Sequence, residues 1–214
     1  MDLSARLKLW KDAVFSPEPT FTAEAKRSVG LVDGLYNYAL STAIYAVISS
    51  IVSAVIILLL AVFLSKNALE QLVTLPGSAV IIFVAFIVIN FIGAGIYHLI
   101  AKALGGKGRF CSLYYTLSLA SAPTLAVYSI LGAIPCLGVV FGLALWLYQI
   151  YLTTLAIQKV HKLSLGRSIA VWAIPLAIVV VILLVLMVVA FALVMAAFAS
   201  ISHALPSTAN IMSG

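Results

Sequence analysis

The chain has 214 residues, of which 64% are hydrophobic and 8% are charged, and its formal net charge is +6. A soluble domain is about half apolar and about a quarter charged. The composition therefore excludes an ordinary soluble protein and indicates an integral membrane protein. All six acidic residues lie at or before Glu70, so the rest of the chain has no carboxylate side chains.

Residues 1–38 form a predicted cytoplasmic leader. Leu3, Leu7 and Trp10 recur in it at helical spacing, with basic residues off that stripe. Such an amphipathic helix can lie in the headgroup layer, and we expect these three residues to be its interfacial anchor. The alternative is that the helix packs on the protein's own cytoplasmic face.

Five apolar runs follow the leader, and none contains Asp, Glu, Lys or Arg. Each has the ~20 residues that a helix needs to cross a bilayer. The runs are residues 39–64, 79–101, 113–132, 134–157 and 169–199, and the first can begin as early as Leu31. They predict an all-α, polytopic membrane bundle of five transmembrane helices over residues 39–199, with a short external tail at residues 200–214.

The basic residues are divided unequally between the two ends of the predicted spans. Five lie in the leader, three follow the second span and three follow the fourth, whereas Lys66 alone follows the first span. Because cytoplasmic segments are enriched in Lys and Arg, this distribution predicts a cytoplasmic N-terminus and an external C-terminus.

The two basic connections are the candidate contact sites for anionic lipid headgroups or for a protein partner. Their residues are Lys102, Lys107 and Arg109, and Lys159, Lys162 and Arg167. Because these cations flank apolar spans, nucleic acid is not an expected partner. The alternative is that they only set the topology.

Glycine and proline mark packing sites and predicted bends in the spans. Gly138 and Gly142 form a G-x-x-x-G pair, which favours close helix packing within the monomer or, alternatively, in a homo-oligomer. Pro123 and Pro175 each remove one helical hydrogen bond and are predicted to kink their helices.

No residue pattern indicates catalysis or a cofactor. A Ser-His-Asp triad has no acid available beyond Glu70, the three histidines are scattered, and H-E-x-x-H is absent. The stretch "ALGGKGRF" lacks the glycine spacing and the hydroxyl residue of a phosphate-binding loop. We instead expect Gly105 and Gly106 to end the second span in a left-handed cap.

Several short motifs occur in a characteristic order: "VFSPEPTF", "GGKGRF", "SLASAPTL" and "YLTTLAIQKVHKLSLGRSIAV". With five spans between and around them, they resemble the Yip (Ypt-interacting protein) domain family. The short leader and the lack of a D-L-Y-G-P motif make the chain similar to minimal prokaryotic members.

The resemblance implies a non-enzymatic, five-span protein that organises membranes or acts as a trafficking-type scaffold. Eukaryotic members bind Rab-type GTPases and act between endoplasmic reticulum and Golgi. The implied location is the cell membrane in a prokaryote, or the endoplasmic reticulum or Golgi in a eukaryote. The alternative function, suggested by the predicted kinks, is a small carrier or pore for a neutral or apolar substrate.

Overall fold

A computed structural model describes residues 2–64, 68–132 and 137–204, and within these ranges it has seven α-helices and no strand. The helices are α1 (Leu3–Phe15), α2 (Pro17–Glu24), α3 (Leu31–Leu64), α4 (Ala68–Ala103), α5 (Phe110–Leu131), α6 (Leu137–His161) and α7 (Leu165–Ala204). The all-α prediction is confirmed.

Five of these helices are long and apolar enough to cross a membrane, as predicted. The candidate spans are Leu31–Leu59, Pro76–Ala103, Phe110–Leu131, Gly138–His161 and Leu165–Phe198. Helix α3, which contains the first candidate span, does begin at Leu31. Residues 200–204 of the predicted tail belong to α7, whereas residues 205–214 lie outside the described residues.

The contacts divide the chain into two compact units, Met1–Trp172 and Ala173–Gly214, and the boundary falls inside α7. The first unit contains α1 to α6 and the first turns of α7. The described part of the second unit is the rest of α7, an apolar helix that continues through Pro175.

Helix α5 is the centre of the first unit. It contacts α1, α3, α4 and α6, and it is the most buried and least apolar of the five candidate spans. Five of its serine and threonine hydroxyls are compatible with burial because they donate to carbonyls of the preceding turn, as Ser118 Oγ does to Tyr115 O at 2.6 Å. The low apolarity of α5 thus reflects contact with protein instead of lipid.

Helices α5 and α6 approach closely at the predicted glycine pair. A Cβ at Gly142 would lie 3.1 Å from Cε2 of Tyr128, and one at Gly138 would lie 2.6 Å from the Gly132 carbonyl oxygen. This geometry supports packing within the monomer. Pro123 lies inside α5 without interrupting it, and the kinks at Pro123 and Pro175 stay predictions.

Candidate functional site at the basic end of the helices

The connection between α4 and α5 begins with the expected glycine cap. Gly105 has a left-handed φ of 91°, and the Gly106 N–H donates to the Ala101 carbonyl oxygen at 2.8 Å. Glycine adopts this conformation without the steric cost that a side chain imposes. The prediction that Gly105 and Gly106 end the helix is confirmed.

This connection is joined to the end of α6 and the start of α7. The Lys107 N–H donates to the His161 carbonyl oxygen at 3.1 Å, and Arg167 Nη1 donates to the Leu104 carbonyl oxygen at 3.3 Å. The two basic connections, which are more than 50 residues apart in the sequence, therefore form one structural unit.

The glycines at positions 106 and 108 make this approach possible. A Cβ at Gly106 would lie 2.6 Å from both the Ala101 carbonyl oxygen and Nδ1 of His161. A Cβ at Gly108 would lie 2.7 Å from the Val160 carbonyl oxygen. Since real Cβ atoms do not approach other atoms this closely, contact with α6 explains Gly106 and Gly108, whereas the left-handed φ explains Gly105.

Two histidines meet beneath this junction. Nδ1 of His98 lies 3.3 Å from Nε2 of the completely buried His161, and Phe110 packs edge-on against His98. One ring must donate a hydrogen and the other accept it. Sequence reasoning missed this pair because the two residues lie on different helices. The described residues contain no group of three metal-ligating side chains.

We call the six predicted cations Lys102, Lys107, Arg109, Lys159, Lys162 and Arg167 the basic face. All except Lys159 have exposed side chains. Lys159 Nζ instead forms an ion pair with Glu18 Oε1 of α2 at 2.9 Å. Lys162 follows the last residue of α6 in a left-handed conformation, with φ 54°.

Helix α1 packs on the membrane helices through a buried polar cluster. Arg6 and Trp10 are 5% and 4% exposed. Arg6 Nη1 donates to Asn37 Oδ1 at 2.7 Å, and Trp10 Nε1 donates to the same oxygen at 3.4 Å. Asn37 Nδ2 in turn donates to Ser118 Oγ of α5 at 3.0 Å.

Two tyrosines also bind the leader to the spans. The Tyr115 hydroxyl donates to Glu24 Oε2 at 2.8 Å, and the Tyr148 hydroxyl donates to the Val14 carbonyl oxygen at 2.5 Å. The leader thus lies at the same end of the helices as the basic face. These contacts support the alternative in which the leader packs on the protein itself.

The three predicted anchor residues are separated by the fold. Leu3 and Leu7 are about half exposed, whereas Trp10 is buried. The expectation for Trp10 is corrected, because its indole is buried in the protein core and donates to Asn37 of α3 instead of lying among headgroups. For Leu3 and Leu7 the anchor role stays a prediction.

The helical fold and its five candidate spans define the class of the protein as an all-helical, multi-pass membrane protein. A model of the Yip1 domain family matches residues 13–189 of the chain. Since this match covers most of the 214 residues, the protein belongs to the Yip1 domain family. Comparison with curated proteins and with solved structures gave no match.

Proposed function

We propose that the protein is a non-enzymatic membrane-organising scaffold whose basic face faces the cytoplasm and holds anionic lipid headgroups. The observation that carries the proposal is the joining of the two basic connections by the Lys107 and Arg167 hydrogen bonds. Cations that only set topology can act from separate loops, whereas cations joined in one surface can contact the same cluster of headgroups.

The distribution of charge supports the headgroup as ligand. Five exposed cations lie on the basic face, and in the described residues only its sixth cation, Lys159, forms an ion pair, with Glu18 of the leader. Each Lys or Arg near an anionic membrane surface contributes about 1 kcal/mol of attraction. The proposed cytoplasmic orientation places the basic face at the leaflet that contains anionic lipids. It also agrees with the excess of basic residues at this end of the spans.

The test is lipid selectivity of the purified full chain. We would measure phosphatidylserine and phosphatidylcholine bound to the protein by native mass spectrometry from mixed micelles. The proposal predicts preferential retention of phosphatidylserine, which Lys107→Glu reduces more strongly than Lys8→Glu, on the exposed side of the leader, does. Equal retention of the two lipids by the unmodified chain would refute the proposal.

A further inference from the structure

An open cavity lies among the candidate spans, and no residue of the basic face lines it. Its volume is about 420 Å³, within the range of roughly 300–1,000 Å³ found for small-molecule sites. It is lined by α3, α4, α5 and α6. Its lining on α6 runs from Gly142 to Thr153, about 16 Å along the helix axis, which is about half of the ~30 Å hydrocarbon core.

Part of the lining is polar, and none of it carries a charge. Asn90, Thr124, Gln149 and Thr153 contribute amide and hydroxyl groups, and no Asp, Glu, Lys, Arg or His is among the described residues that line the cavity. Thr124 Oγ1 donates to Gln149 Oε1 at 2.7 Å, and Gln149 Nε2 donates to Thr153 Oγ1 at 3.4 Å. An ionised headgroup would find no countercharge here, so the lining favours an uncharged ligand.

Groups with unused hydrogen-bonding capacity line the cavity on α4 and α6. Asn90 Nδ2 donates to the Phe86 carbonyl oxygen at 2.8 Å, which leaves Oδ1 without a donor among the described residues. The Tyr97 hydroxyl and Trp146 Nε1 also have no hydrogen bond to any residue that the structure describes. Unpaired polar groups within a membrane span are costly because lipid tails offer no hydrogen bonds.

The rest of the lining suits a hydrocarbon chain. Phe86, Leu117, Leu125 and Leu145 line the cavity together with Trp146 and Tyr128, which are 53% and 39% exposed. These two partly exposed aromatic residues give access from the surface that the spans present to lipid. The occupant therefore has an apolar part and an uncharged head with both hydrogen-bond donors and acceptors.

We infer that this cavity binds an uncharged glycerolipid of the diacylglycerol type. Its hydroxyl would donate to Asn90 Oδ1, and its ester oxygens would accept from Trp146 Nε1 or the Tyr97 hydroxyl. This binding is independent of the basic face, whose ligand is anionic, and it requires no transport across the membrane.

The experiment uses the full chain in phosphatidylcholine nanodiscs that contain a photoreactive diacylglycerol. A photoreactive phosphatidylcholine of the same chain length is the matched probe. On the unmodified chain, unlabelled dioctanoylglycerol should suppress labelling by the diacylglycerol probe but not by the phosphatidylcholine probe. The labelled peptides should come from α4 and α6. The inference is overturned if dioctanoylglycerol does not suppress labelling of the unmodified chain by the diacylglycerol probe, or if the labelling is spread evenly over the spans.

Variants then test the chemistry of the site. Asn90→Leu removes the free acceptor and should lower competable labelling about three- to tenfold. Leu145→Trp fills the cavity and should do the same, whereas Leu147→Trp, at an exposed position of the same helix, is the control. Variants are compared only if they elute as the unmodified chain does. Unchanged labelling in a folded Asn90→Leu protein contradicts the inferred ligand contact.

Discussion

Arg6 Nη1 donates to Asn37 Oδ1 at 2.7 Å inside the contact between α1 and α3. The guanidinium also lies over the Tyr36 ring, 4.3 Å from its centroid. Its Nε is buried without a hydrogen-bond partner among the described residues. A cation is thus held between helices by an amide and an aromatic ring, and this contact attaches the leader to the membrane helices.

Replacing Arg6 tests this attachment. Arg6→Ala removes a charged hydrogen bond and should lower the free energy of unfolding by about 1.5–3 kcal/mol. Denaturation of the purified chain in a mild detergent measures the change. Lys8→Ala, at an exposed position of the same helix, should change it by less than about 0.5 kcal/mol. Equal effects of the two substitutions would show that Arg6 does not hold the leader.

The close approach of the "GGKG" connection to α6 predicts a second effect. Gly108→Ala places a methyl group against the Val160 backbone and should destabilise the protein by about 1–3 kcal/mol. Gly166→Ala is the control, because a Cβ there meets nothing within 4 Å. The thermal unfolding midpoint distinguishes them. A midpoint unchanged by Gly108→Ala would mean that the connection does not pack on α6.

The left-handed backbone at Lys162 predicts that glycine is favourable there. Because a non-glycine residue pays about 1 kcal/mol or more in this conformation, Lys162→Gly should raise the unfolding free energy by up to about 1 kcal/mol. Gly105→Ala, at φ 91°, should lower it by about 1–2 kcal/mol. Denaturant titration of both variants measures whether each unfolding free energy rises or falls. Destabilisation by Lys162→Gly would contradict the assigned backbone.

The ion pair between Glu18 and Lys159 should contribute little to stability despite its 2.9 Å length. The Glu18 side chain is 70% exposed, so water and salt screen the pair. A double-mutant cycle with Glu18→Gln and Lys159→Gln should give a coupling energy below about 1 kcal/mol that declines with added salt. A larger, salt-independent coupling would indicate that the pair is shielded from solvent.

The number of spans could be predicted from the sequence, because the length and apolarity of a span depend on the bilayer and not on tertiary contacts. The glycine cap of α4 was also predictable, since a left-handed residue after a helix favours glycine for local steric reasons. The order of the short motifs was sufficient to suggest the family.

The burial of Arg6 and Trp10 was not predictable in the same way. A periodic pattern shows which residues share a helix face, but it does not show which surface that face contacts. Arg6 lies off the apolar stripe of its helix, and its partner, Asn37, is 31 positions away on another helix. The His98–His161 pair and the uncharged cavity depend on similar long-range contacts between helices.

The central claim is that the two basic connections act as one surface toward anionic headgroups. Phosphatidylserine retention by Lys107→Glu, Lys162→Glu and the double variant tests it most directly. We expect each single reversal to reduce retention about fivefold or more. The fold-reduction in retention of the double variant should be smaller than the product of the two single fold-reductions, because both cations contact the same headgroups. Independent, multiplicative losses, or retention unchanged in all three variants, would contradict the claim.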